Sequence, residues 1–191
     1  MIKSRKDLQD YIKADRESAG VSSRFTASMY DLVYPNLIIT YLKYLRKVEY
    51  YENLGSVIGY GISHLLMIRM HRLSYKLGFY VPTNVFGPGL YIPHFGSIVV
   101  SPGARIGKNC ILHANVVIGQ HGGKVPTIGD NVFIGPGAKL FGAIHIADNV
   151  WIGANSVVTR DVREPNAVVA GIPAKIVGYK KVSWNNTPTK G

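Results

Sequence analysis

The stretch IGDNVF IGPGAK LFGAIH IADNVW IGANSV VTRDVR, residues 128–163, returns to an aliphatic side chain at every sixth position. Carried towards the N-terminus, the same frame takes in Phe86, Ile92, Ile98, Ile106, Leu112 and Ile118, so twelve successive leading positions up to Val158 are apolar. An α-helix repeats every 3.6 residues and a strand every two. A period of six belongs to a solenoid in which each hexapeptide forms one flat face and three make a coil, the left-handed parallel β-helix. Gly and Asn at the intervening positions suit its tight corners. The frame breaks twice. Ile98 to Ile106 is eight residues, a small bulge at 101–103. Ile118 to Ile128 is ten, so QHGGKVPT, residues 120–127, must protrude as a loop, and such insertions often sit at the binding face.

Residues 1–80 follow a helical grammar instead. DLQDYIKADRESAG ends at Gly20; a second segment carries Leu37, Tyr41, Tyr44, Leu45 and Val48 on one stripe and closes at Gly55; a third ends at Gly78. His64 and His71 lie seven residues apart on one face of that third helix, where they read as core or interface histidines. The expected organisation is therefore mainly β: a helical region over 1–80, a β-helix domain over 81–182 and a flexible tail over 183–191. The helices are expected to cover one end of the β-helix, where a bare final coil would expose unpaired backbone. They are also candidates for joining trimers or for resting on a membrane.

The chain has 191 residues, 47% apolar and 17% charged, which is a folding composition. Its formal charge of +11 favours an anionic partner: nucleic acid, a membrane surface or a phosphorylated cofactor. No helix-turn-helix signature or aromatic–basic platform supports nucleic acid. The single cysteine, Cys110, excludes an intrachain disulfide and fits a reducing cytosol. The first twenty residues are charged and lack the apolar run of a signal peptide. The most apolar helical runs fall short of the roughly 20 residues that span a bilayer.

GPGLYIPHFGSIVV, residues 87–100, sets an imidazole, His94, into a run that otherwise reads as strand. One coil later the register brings up His113, one position along the strand. Stacked strands lie about 4.8 Å apart, so the two side chains are expected near each other.

Residues 134–178, ending in AGIPAKIVG, resemble the hexapeptide-repeat acyltransferases of the serine acetyltransferase branch, and GPGLYIPHFGSIVV is similar to that branch's active-site strand. With NVFGPG and the leading helices, the chain looks most like the enzymes of that kind in bacterial surface-polysaccharide pathways. The resemblance covers roughly residues 80–180. It implies a homotrimer, in some relatives doubled to a hexamer through N-terminal helices, with acetyl-CoA as co-substrate in a groove between neighbouring subunits and no metal. It makes His94 the general base that takes the acceptor hydroxyl's proton as the oxygen attacks the thioester. His113 is assigned a substrate-positioning or proton-sharing role, and His121, on the protruding loop, is in reach of a neighbour's cleft. Along the pantetheine arm the family uses a column that falls here on Gln120, Pro136 and Ala154. Lys175 is assigned to the CoA phosphates, while Lys180 and Lys181 remain open.

Three departures bear on the acceptor. Where the branch has an aspartate before the catalytic histidine, this chain has Pro93. The aspartate fifteen residues upstream is replaced by Phe79. The loop's arginine–histidine pair becomes Lys124 and Val125, which leaves only Lys124 to hold an anionic group. These changes turn the expected acceptor from free serine to a sugar hydroxyl in surface-polysaccharide synthesis, at the cytoplasmic side of the membrane. Serine O-acetylation is the alternative within the class. A non-catalytic hexapeptide scaffold is the alternative outside it, and a zinc enzyme would need His94, His113 and His121 to converge across a subunit boundary.

Overall fold

A computed structural model of the chain describes residues 1–21 and 36–180. The expected tail at 183–191, and Lys181, lie outside the described residues. Among the described residues three helices come first: α1 Arg5–Ser18, α2 Leu37–Asn53 and α3 Val57–Leu77. Each begins at a side chain suited to capping. Ser4 Oγ accepts from the Asp7 backbone N–H while Asp7 returns the bond to Ser4. Asn36 Oδ1 accepts from Ile38 and Ile39, and Ser56 Oγ from Gly59. Such caps contribute about 1 kcal/mol each. Gly78, at φ 77°, ends α3 in the left-handed conformation that glycine adopts most easily.

The strands follow in chain order: β1 Phe79–Tyr80, β2 Ile98–Val100, β3 Arg105–Ile106, β4 Ile111–Leu112, β5 Val117–Gly119, β6 Thr127–Ile128, β7 Phe133–Ile134, β8 Lys139–Phe141, β9 His145–Ile146, β10 Trp151–Ile152, β11 Val157–Val158, β12 Ala167–Gly171 and β13 Ala174–Tyr179. They form three sheets, one for each face of a parallel β-solenoid: face A is β1-β2-β5-β8-β11, face B is β3-β6-β9 and face C is β4-β7-β10-β12-β13. All pairs are parallel except the terminal β12–β13 hairpin. This is the mainly β hexapeptide-repeat architecture that the six-residue period predicts. All twelve leading residues are at most 5% exposed, so the periodic positions are the core of the prism. Asparagines take the left-handed corner between faces B and C. Asn109, Asn131 and Asn149 have φ of 55–62° and their amides bond upward in series, at 2.9 and 3.0 Å.

A buried cation fastens the helices to the first coil. Arg46 of α2 is fully enclosed and reaches Asp15 of α1 at 2.8 Å, Glu49 at 3.1 Å and the Phe86 and Gly87 carbonyls at 2.9 and 2.7 Å. Asp15 Oδ1 accepts from the Gly89 and Leu90 N–H groups, and Glu49 from Asn84. Burial alone would loosen the Arg46 proton, but Glu49 and Asp15 more than reverse this, and the guanidinium pKa rises. The helices thus cover the lower end of the solenoid. Of the core-or-interface expectation for His64 and His71, the core half is corrected: both are exposed on α3, whose buried residues are Gly59, Ser63, Met70 and Leu77.

Candidate active site

Tyr91 bridges to Ile111, after which the chain turns from face C to face A through Pro93, His94, Phe95 and Gly96. Gly96, at φ 143°, is needed there: a Cβ on it would come 3.0 Å from Ala114 Cβ. Its N–H donates to the Leu77 carbonyl at 2.9 Å, which ties the turn to the end of α3. His94 is exposed at this corner, not sealed in the prism.

His113 follows β4 and stands opposite Pro93 in the register that pairs Tyr91 with Ile111. Its ring centroid lies 6.2 Å from that of His94. The juxtaposition read from the repeat is therefore present. On its other side His113 meets Phe133 at 5.0 Å, and Phe133 stacks on Trp151 at 4.0 Å. Lys180 Nζ lies 3.3 Å from the Trp151 ring centre, a cation–π contact. Partial burial, with His94 adding a smaller effect, lowers the His113 pKa and favours its neutral form. Phe133 and Trp151 were not singled out as site residues in the sequence. Their signal is the residue before each leading isoleucine, NVF and NVW, eighteen apart.

Above His94 the same corner carries small or compact residues. The Gly137 N–H donates to Ala114 O and the Asn155 N–H to Pro136 O, so Ala114, Pro136 and Ala154 stack coil upon coil. The stack ends beside Lys175, which pairs with Ala170 across the β12–β13 hairpin. Lys139 adds an unforeseen cation: its ammonium binds Asn115 O at 2.7 Å and Gly137 O at 2.9 Å beside this column.

Gln120 does not belong to the column, which corrects its sequence assignment. Gly119 pairs with Phe141, which sets Gln120 at the face A–face B corner, whereas Pro136 and Ala154 occupy the corner between faces C and A. The loop insertion comes after β5, so eighteen-residue spacing cannot be carried through it. His121 and Lys124 share the Gln120 corner. Their backbones exchange hydrogen bonds of 2.9 and 3.1 Å to make a miniature hairpin. Both line a cleft of about 620 Å³ with Phe141, Thr159, Arg160 and Asp161. Within one protomer the loop thus stands a full face away from His94. Among the described residues neither His94 nor His113 forms an ion pair with a carboxylate. Phe79 is buried against Tyr41 at 5.4 Å and supplies no polar partner. No three His, Cys, Asp or Glu side chains converge on a metal-sized site among the described residues.

A three-faced hexapeptide solenoid with an exposed histidine beside a column of small residues is the class of protein the fold and site define. Residues 126–160 match the bacterial transferase hexapeptide family (six repeats), and residues 95–120 the hexapeptide repeat of succinyl-transferase. The chain is similar to the serine acetyltransferases of Synechococcus elongatus, 40% identical over 100 residues, and Mycobacterium tuberculosis, 39% over 106. Those matches take in 50% and 53% of this chain but 41% and 46% of the relatives, so it spans less than half the length of either. The solved serine acetyltransferase of Neisseria gonorrhoeae in complex with serine superposes with a TM-score of 0.71 at 26% identity, over 92% of this chain and 71% of that one.

Proposed function

We propose that this chain is an acetyl-CoA-dependent O-acetyltransferase with His94 as its general base. The observation that carries the reading is the placement of an exposed imidazole at the foot of the Ala114–Pro136–Ala154 column, one coil below His113. The acceptor hydroxyl oxygen attacks the thioester carbonyl carbon while His94 takes its proton. The tetrahedral intermediate collapses, the C–S bond breaks, and the CoA sulfur leaves with the proton that His94 returns. His113, held neutral, positions the acceptor or shares its proton. The thioester arm follows the column, with its phosphates towards Lys175 and Lys139. On this reading Gln120, with His121 and Lys124, acts on the cleft of a neighbouring protomer in a homotrimer, working in the cytoplasm where acetyl-CoA is made.

The relatives' names support the hydroxyl of L-serine as acceptor, ahead of the sugar hydroxyl expected from the sequence. The sugar reading keeps one specific support. Pro93 and the buried Phe79 stand where the branch has carboxylates, and among the described residues no carboxylate pairs with either imidazole to serve as a nearby counter-ion for an ammonium group. Thiol release from acetyl-CoA decides between them, measured with L-serine and with a panel of hexoses and nucleotide sugars. Turnover at millimolar serine, absent with sugars, establishes serine; the reverse establishes a glycan acceptor. No release with any acceptor favours a non-catalytic scaffold, and release at an unchanged rate in His94→Ala overturns His94 as the base.

A further inference from the structure

α3 buries one side and leaves the other bare. Gly59, Ser63, Met70 and Leu77 face the core. At 3.6 residues per turn the opposite crest carries Val57, Leu65, Ile68 and Tyr75, with exposures from 52% at Ile68 to 91% at Val57. A solvent-facing helix crest ordinarily carries polar side chains, and a contiguous bare apolar patch marks a contact surface. Gly61 lies on the same crest, where an added Cβ would meet nothing within 4 Å. The helix contains no Asp or Glu along its 21 residues, while Arg69, Arg72 and Lys76 stand exposed on and beside the crest.

We infer that α3 is a membrane-surface helix whose apolar crest lies at the headgroup boundary of an anionic phospholipid bilayer, with Arg69, Arg72 and Lys76 on the lipid phosphates. Charge chooses this occupant. A second copy would bring a helix with three cations and no acid against itself, like charge on like charge. An anionic bilayer answers both the apolar crest and the cations, and it agrees with the chain's +11. Among the described residues no helix is long and apolar enough to cross a membrane, so α3 lies along the surface. Its last turn holds the Gly96 N–H, and Phe95 beside it is 75% exposed. Docking through α3 therefore brings the His94 end of the solenoid to the bilayer. This inference stands whether or not the proposed reaction does.

The test is co-sedimentation of the full chain with vesicles of phosphatidylglycerol and phosphatidylcholine, and with phosphatidylcholine alone. The wild-type protein pellets with the anionic vesicles at low salt, releases as ionic strength rises, and stays in solution with the neutral ones. Leu65→Asp/Ile68→Asp and Arg69→Ala/Arg72→Ala/Lys76→Ala each lower the partition coefficient by about two orders of magnitude without changing the circular dichroism. If the aspartates prevent folding, Leu65→Ser/Ile68→Ser replaces them. Wild-type protein that ignores anionic vesicles overturns the inference, as does a folded crest variant that binds like wild type. Loss of particle mass by light scattering in the crest variant, with no vesicle binding by wild type, assigns the surface to a second copy instead.

Discussion

His94 and His113 stand one coil apart with ring centroids 6.2 Å apart and planes inclined by 48°. Their closeness lets a charge on His94 act on the His113 ring. Burial first, and the charge of His94 second, depress the His113 pKa. The unfolded chain then binds the proton more readily, so this ring's contribution to stability is complete above about pH 6.5 and is lost as pH falls. An NMR titration will find the His113 midpoint below the ordinary histidine value. His94→Asn will raise it only part of the way, because burial is the larger cause. A midpoint at or above 6.5 in the wild type refutes the coupling.

Removal of the proposed base tests the chemistry. His94→Ala is expected to lower kcat for acetyl transfer by at least about a hundredfold while leaving the circular dichroism unchanged, since the side chain is exposed. His113→Asn is expected to cost about tenfold, or 1.4 kcal/mol, and to displace the acid limb of the pH–rate profile. A merely structural His113 would lower the melting temperature and leave that limb in place.

The Arg46 cluster makes a stability prediction. Arg46→Ala leaves Asp15 and Glu49 buried without their cation and strips donors from two backbone carbonyls. The expected cost is about 3–5 kcal/mol, read as a drop in the urea midpoint. Lys13→Ala, which removes a pair whose side chains are both more than half exposed, should leave the midpoint unmoved.

The corner column predicts a binding effect. Ala154→Trp fills the exposed position above Pro136 and should raise KM for acetyl-CoA by about tenfold, with little change in kcat, as for lost uniform binding. Gln120→Ala, on the other corner, separates intrachain from neighbour-supplied contacts. It should alter acceptor KM without affecting donor KM.

The prism was legible because one periodicity serves every coil: the residues that mark the six-residue frame are the ones that pack its interior. The same arithmetic brought His113 to His94, since only the short bulge at 101–103 intervenes. It failed at Gln120, where an insertion after β5 breaks the count and a sequence interval no longer measures height. The buried Arg46 was hidden for another reason. Apart from Glu49 on the same helix, its partners lie 31 to 41 residues away, on elements whose docking no local pattern encodes. Phe133 and Trp151 had a visible spacing, but their contact with His113 and Lys180 depends on which way the strands face.

The stacked corner also acts as a yardstick. His113 stands one coil above Pro93, and Gly135, Gly153 and Ala170 follow it upward before Lys175. Each step is about 4.8 Å, so the span between base and terminal lysine comes only in whole windings of the chain. A relative with one winding fewer in that interval would draw the two ends together by that amount, and extra windings elsewhere would leave the span untouched. The reach demanded of a bound donor is in this way set by counting repeats, and it can be retuned by deleting or duplicating eighteen residues.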